Sequence, residues 1–264
     1  MSGRDQSKAV ARDHALADYS RIAVVIPALN EESSIGLVIQ AIPRPLVSEI
    51  IVVDNGSTDS TATVARTSGA TVLSELKRGY GTACLTGIRH ALDHGAEVIV
   101  FLDGDFSDYP EDLPGLVRPI LDQGYDMVIG SRMIGNRERG ALLPQAVFGN
   151  WLACTLIRLF WGYRFTDLGP FRAVRSVALQ RMKMRDPTFG WTVEMQIKAA
   201  KLKLKCTEVP VRYRKRIGTS KVTGTVLGTV GEGCPGRGRA GSRRAGKVIS
   251  PFSVARVARQ GPER

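Results

Sequence analysis

Asp103 and Asp105 stand two positions apart, directly after the apolar run EVIVFL (97–102), and Asp108, Glu111 and Asp112 follow within a few residues. Negative charges this close repel, and carboxylates that stay ionised together favour a divalent cation. In a parallel α/β sheet, ligands bind outside the carboxyl ends of the strands. Asp103 ends its strand, and Asp105 follows across Gly104, so one turn can aim both carboxylates into one crevice. Hard oxygen ligands suit Mg²⁺ or Mn²⁺, ions that also bridge phosphates. The competing reading is turn and helix-cap chemistry ahead of Pro110.

Three other strand ends carry polar loops on the same edge. They are PALNEE (27–32), DNGSTDST (54–61) and KRGYG (77–81). Asp54 and Asn55 have the groups to accept and donate hydrogen bonds to a base or ribose. Arg78 offers positive charge to a diphosphate, and Gly79 and Gly81 allow close backbone approach at a helix N-terminus. Each loop also reads as plain turn chemistry. No GxGxxG follows the first strand, so a classical dinucleotide site fits poorly, and the P-loop pattern GxxxxGK[ST] is absent.

The elements that must position these loops alternate regularly. Short Val/Ile-rich runs at 21–27, 48–54, 70–74, 96–103 and 125–132 read as buried strands. Helical patterns at 31–42, 59–68, 79–94 and 110–123 separate them. This is the pattern of a mostly parallel sheet covered on both faces. Further on, an apolar helix at 146–163, a strand at 169–174, a helix at 192–200 and a strand at 203–212 are expected. The helix at 146–163 carries Trp151, Phe160, Trp161 and Tyr163, and a buried cover for the sheet is favoured over an interfacial helix. His90 and His94 have the i, i+4 spacing of a metal pair, but no HExxH pattern or third distant ligand is evident, so a surface helix face is expected.

The chain has 264 residues, a formal net charge of +12 and 43% hydrophobic residues. About half of that charge lies beyond Gly231, where Gly, Arg and Ser dominate. Residues 1–20 are expected to be a loose leader, 21–231 the folded domain, and 232–264 a basic, disordered tail. No stretch is long and apolar enough for a transmembrane helix. Four separated cysteines without a CxxC pair suit reduced thiols in a cytoplasm. The body of the chain carries no nucleic-acid module, so nucleic acid is not an expected partner.

PALNEE, VVDNGSTDST, KRGYGTA, FLDGDFSDYPED, GSR (130–132), TDLGPFRAVR (166–175), FGWTVEMQ (189–196) and YRKRIGTSK (213–221) resemble, in order, glycosyltransferase family 2. Within it, the likeness is to the dolichol-phosphate mannosyltransferase and polyprenyl-phosphate glycosyltransferase group. It implies a GT-A fold, a single Rossmann-like nucleotide-binding α/β unit with a mixed, mostly parallel sheet, and inverting transfer. It implies that Pro27, Leu29, Glu31, Asp54 and Asn55 surround the nucleotide, with Arg78 and Gly104 also on the nucleotide sugar. Asp103 and Asp105 would hold Mg²⁺ or Mn²⁺ on the donor diphosphate. Arg132, Arg212, Arg214 and Lys221 would meet phosphates, those of the acceptor included. The family pattern is departed from in two ways. Asn55 and Gly56 replace acids common after the second strand, and Ser107 replaces a glutamine that serves some members as a metal ligand.

The expected reaction moves a sugar from a UDP- or GDP-sugar to a polyprenyl or dolichyl phosphate. A phosphate monoester with a second pKa near ~6 is already nucleophilic at neutral pH. A hydroxyl acceptor needs a base, for which Asp167 is favoured and Glu194 is the second candidate. Glu194 also reads as a structural acid paired with Lys198 at i+4. Peripheral contact with an anionic membrane, at the cytoplasmic face of the cell membrane, follows from the lipid acceptor and the basic run at 212–221. Transfer to a soluble hydroxyl acceptor, and a non-catalytic nucleotide-sugar-binding module, are the alternatives.

Overall fold

The structure, a computed structural model, describes residues 21–219. The expected leader, the expected basic tail and Lys221 lie outside the described residues. Seven strands form one sheet, built around continuous apolar runs. These are β1 (Ile22–Ala28), β2 (Glu49–Asp54), β3 (Thr71–Ser74), β4 (Val98–Phe101), β5 (Met127–Ser131), β6 (Arg172–Arg175) and β7 (Cys206–Pro210). Their order is β3-β2-β1-β4-β6-β5-β7. β6 runs antiparallel to both β4 and β5, and the other pairings are parallel. Strand order reverses between β1 and β4, which opens a crevice at their carboxyl ends.

Seven α-helices accompany the sheet: α1 (Ile35–Ala41), α2 (Thr61–Thr67), α3 (Tyr80–Asp93), α4 (Leu113–Gln123), α5 (Pro144–Trp161), α6 (Ser176–Met182) and α7 (Trp191–Lys201). Side chains from β1, β2, β4, α1 and α4, including Ile22, Val24, Ile39, Val100 and Leu116, form the core of one face. The α/β alternation expected from the sequence is present. The helices begin later than expected at α1 and α2, because Glu31–Ser34 and Asp59–Ser60 form laced turns instead. Glu31 N donates to Thr61 Oγ1 (2.7 Å) and Ser60 N donates to Glu32 Oε2 (2.9 Å). α6 was not expected; it follows β6 without a loop and closes with Lys183 in the left-handed region (φ 47°).

α5 corrects the expectation of a buried cover. Only a narrow stripe, Asn150, Ala153, Cys154 and Ile157, is buried. Phe148, Trp151, Leu159 and Phe160 are exposed by 62%, 59%, 74% and 64%. The helix is apolar almost all round, so packing one stripe against the body leaves aromatic residues outside. Among the described residues, no helix is long and apolar enough to cross a membrane.

The glycines of KRGYG answer to the chain's own backbone. Gly79 has φ +147°, and an added Cβ there would collide with the Pro187 carbonyl. At Gly81 it would collide with the carbonyl of Asp186. Thr82 N donates to Pro187 O at 3.2 Å, which fixes the 186–187 loop against the start of α3. A Gly81→Ala substitution is therefore expected to destabilise the fold by about 1–3 kcal/mol, as overpacking does. Urea denaturation checks this, and an unchanged midpoint would mean that the loop simply moves aside.

Candidate active site at the carboxyl edge

The crevice between β1 and β4 gathers the acids. Asp105 is 5% exposed. Its Oδ1 accepts from Ser107 N (2.9 Å) and Ser107 Oγ (2.5 Å), and its Oδ2 lies 2.8 Å from Arg216 Nη2. The same guanidinium stands 3.8 Å from Glu31 Oε1. Arg216 thus joins the loop after β1 to the loop after β4, a role the sequence reading missed. Its only signal there was membership of a basic run.

Asp103 accepts from Tyr80 Oη at 3.0 Å. Its carboxyl is pushed up to about 7, first by burial and then by the charge of Asp105, against the Tyr80 bond and the charges of Arg216 and Arg132. Asp108 is 2% exposed, and among the described residues neither of its carboxyl oxygens has a hydrogen-bond partner. Burial, then Asp103, holds its carboxyl well above the usual range, with Arg132 acting the other way. Three acids therefore share one loop after β4, and a guanidinium already sits on one of them. A doubly charged cation held by Asp103 and Asp105 fits this donor set: oxygens only, beside the unpartnered Asp108 carboxyl, at a strand-order switch point.

The loops beside the acids are locked. Asp54 Oδ1 accepts from Ser57 N (3.0 Å), and Asn30 Oδ1 accepts from Thr58 N (2.8 Å). Asn55 is buried and spends its whole amide internally. It donates to Glu75 O and Lys77 O and accepts from Gly79 N at 2.7 Å. It therefore shapes the loop that carries Arg78, whose Nη2 donates to Gly56 O at 2.9 Å. Pro27, Leu29, Glu31, Asp54, Arg78 and Gly104 all fall on this edge, as the topology requires.

On the far side of β4, Arg132 and Asp167 meet. Arg132 donates to Asp167 through its backbone N (2.7 Å), Nε (2.8 Å) and Nη2 (2.7 Å). The guanidinium also lies 5.1 Å from the Tyr213 ring centroid. Asp167 is fully buried, and the backbone at and beside it is gripped from three elements. Gln196 Nε2 donates to its carbonyl (2.8 Å), its N donates to Glu208 Oε1 (3.1 Å), and Asn150 donates to Thr166 O (2.8 Å). Arg172, also fully buried, donates to Leu168 O and Gly169 O, and burial pulls its guanidinium down to about 10. Everything about this loop serves to hold the Asp167–Arg132 fork in one place.

Several expected site residues are differently employed. Glu194 accepts from Arg185 N (3.0 Å) and Asp186 N (2.8 Å) and pairs with Lys198 at 2.8 Å. It is the structural acid of α7, which holds the 185–186 loop. Arg212 forks onto Asp112, with Nη2 to Oδ1 at 2.6 Å, out in solvent. Arg214 turns inward, donates to Phe106 O (2.7 Å) and Asp108 O (3.2 Å), and stacks 3.4 Å from the Phe106 ring. Arg212, Arg214 and Arg216 are thus no free patch; they strap down the acidic loop, where Phe106 takes φ 60°.

Beside Thr166 and Met133 a groove of about 830 Å³ opens, lined by Val147, Phe148, Trp151 and Phe165 among others. It joins the exposed face of α5 to the loop that carries Asp167.

Comparison with known proteins bears on the family and the fold. The Glycosyl transferase family 2 model matches residues 23–181. The undecaprenyl-phosphate mannosyltransferase of Micrococcus luteus is 30% identical over 223 residues, covering 79% of this chain and 90% of that one. A dolichyl-phosphate hexose transferase of Haloferax volcanii is 32% identical over 207 residues, covering 77% and 87%. Among solved structures, glucosyl-3-phosphoglycerate synthase from Mycobacterium tuberculosis, in complex with Mn²⁺, UDP and glucosyl-3-phosphoglycerate, superposes with a TM-score of 0.63. It is 26% identical, and the match covers 80% of this chain and 76% of that one.

The raised Asp103 carboxyl sets a pH dependence. The folded chain keeps a proton that the unfolded chain loses from about pH 4 upward. In metal-free protein this group therefore costs stability progressively as pH rises from about 4 to about 7. A divalent cation held by Asp103 and Asp105 would compete with that proton, so any stabilisation by Mn²⁺ is expected to be larger at pH 8 than at pH 5, and lost in Asp105→Asn. Urea midpoints with and without Mn²⁺ at the two pH values test this; equal Mn²⁺ effects at both would reject it.

Proposed function

We propose, for a chain that belongs to glycosyltransferase family 2 and is a glycosyltransferase, that it moves a sugar from a nucleotide diphosphate sugar to a polyprenyl phosphate, with inversion at the sugar carbon. The observation that carries this reading is the apolar groove. It runs from the exposed aromatic face of α5 to Thr166, next to the buried Asp167–Arg132 fork. A long isoprenoid needs an apolar channel, and its phosphate needs a fixed cation at the end of that channel.

The donor lies across the carboxyl edge in this reading. Its nucleotide is bounded by Pro27, Leu29, Glu31, Asp54 and the loop that Asn55 shapes, and its diphosphate faces Arg78, Arg216 and the acids after β4. Mg²⁺ or Mn²⁺ held by Asp103 and Asp105 supplies positive charge for the departing diphosphate. Arg216, on Asp105 in the described form, is placed to exchange that carboxylate for a diphosphate oxygen. Arg132, oriented by three bonds to Asp167, receives the acceptor phosphate. That phosphate is a nucleophile at neutral pH, so Asp167 acts by positioning Arg132 and not as a base. Holding both reactants on locked loops lowers the barrier by proximity.

The exposed aromatic face of α5 supports a peripheral position against the membrane interface in this reading, at the cytoplasmic face of the cell membrane. The likeness to glucosyl-3-phosphoglycerate synthase supports the second reading, transfer to a soluble hydroxyl.

A radiolabelled-sugar assay with UDP- and GDP-sugars separates the two readings. Label is expected in the organic extract when polyprenyl phosphate is supplied. Label found only in a water-soluble product with phosphoglyceric acid would replace the lipid reading by the soluble one. Asp105→Asn is expected to slow transfer by roughly 10²-fold or more, as loss of one electrostatic contact at a developing anion does. The membrane reading makes a separate claim. Leu159→Glu with Phe160→Glu is expected to abolish sedimentation with anionic vesicles while the melting temperature is retained. Unchanged vesicle binding would put the interface elsewhere.

A further inference from the structure

At the opposite end of the sheet, tertiary structure supplies what the sequence lacked. His90 and His94 lie one turn apart at the C-terminal end of α3, and the amino end of β2 brings Glu49 beside them. One ligand atom from each residue falls within a group in which all lie within 4.8 Å of one another. We propose that Glu49, His90 and His94 form a second metal site, selective for Zn²⁺ or a similar transition ion and separate from the Mg²⁺/Mn²⁺ crevice.

Four observations carry this. His94 Nδ1 lies 2.8 Å from His90 O. A carbonyl only accepts, so Nδ1 is the protonated nitrogen and the Nε2 lone pair is the one left for a metal. Histidine ligands are oriented in this way by a backbone carbonyl on the other nitrogen. His90 Nε2 lies 2.9 Å from Glu49 Oε1. Two ligands about 2.0–2.1 Å from a tetrahedral ion lie roughly 3.3 Å apart, so this pair needs to open by only a few tenths of an ångström once the proton between them leaves.

Glu49 is also held in place. Thr71 Oγ1, at the start of β3, donates to its Oε1 at 2.8 Å. Finally, the two imidazoles stack with centroids 3.9 Å apart at 25°. The stack keeps the two rings side by side next to Glu49. The carbonyl end of α3 adds a favourable field for a cation.

Ligand chemistry separates this site from the crevice. Two imidazoles and one carboxylate suit Zn²⁺, Co²⁺ or Ni²⁺, whereas the crevice offers oxygens alone. Three protein ligands leave a fourth position for water. The six residues of β2 put roughly 16 Å between Glu49 and Asp54, so the ion would act as a clasp joining β2 to α3, remote from sugar transfer. This inference is independent of the proposed acceptor.

The test uses the untagged full-length chain, stripped with chelator and held in excess Mg²⁺. Zn²⁺ binding is read by equilibrium dialysis and by the Zn²⁺-induced rise in melting temperature, and Co²⁺ by its visible absorption. The wild type is expected to bind Zn²⁺, to be stabilised by it, and to give the intense absorption of tetrahedral Co²⁺. His94→Ala and Glu49→Gln are each expected to weaken Zn²⁺ binding at least about tenfold, since even partners one bond removed from a metal matter by that much. His94 is exposed, so its variant is expected to fold, and Asp105→Asn is expected to bind Zn²⁺ as the wild type does. Absence of Zn²⁺ binding, or binding indifferent to His94 and Glu49, would reduce the cluster to an ordinary His–Glu ion pair. Binding lost in Asp105→Asn alone would assign the ion to the crevice; both results overturn the proposal.

Discussion

Charge crowding at the end of β4 is the constraint around which the rest is arranged. Asp103, Asp105 and Asp108 are packed where water is scarce, and each ionised carboxylate raises the cost of the next. The fold answers that cost with a guanidinium on Asp105 and a hydroxyl on Asp103, while burial opposes ionisation of Asp108. Such a cavity is poised for a cation and for a ligand that brings its own countercharge. A purely structural turn has no reason to leave both oxygens of a buried carboxyl unpaired.

The neighbouring loops show how a site is kept rigid without regular secondary structure. Asn55, Asn150, Gln196 and Glu208 each spend side-chain polar atoms on loop backbone, and Arg172 does so from inside the core. Buried polar groups cost free energy unless they are bonded, so the bonds these side chains make favour one conformation. The Asp167–Arg132 fork inherits that rigidity. A cation fixed in place stabilises negative charge without reorganising when the charge arrives.

The two ends of the sheet differ in chemistry for a topological reason. Parallel strands put all their carboxyl ends on one edge and the helix C-termini on the other. The first edge collected carboxylates, arginines and tight turns. The second collected the His90–His94 pair and Glu49, where the carbonyl end of α3 also favours positive charge.

The sequence alone determined the strand and helix alternation, the carboxyl-edge loops and the acidic pair, because periodicity of apolar residues and motif spacing are local properties. It also carried the family, through eight short motifs in order. It did not determine which charges meet. Arg216 on Asp105, Arg212 on Asp112 and Arg132 on Asp167 link positions 35 to more than 100 residues apart. Nor could it tell that Glu194 serves the 185–186 loop, that the glycines at 79 and 81 make room for residues 186 and 187, or that α5 buries only one stripe. Those outcomes depend on which surfaces face each other once the sheet has formed, and a pattern read along the chain holds no information about the partner brought to it from elsewhere.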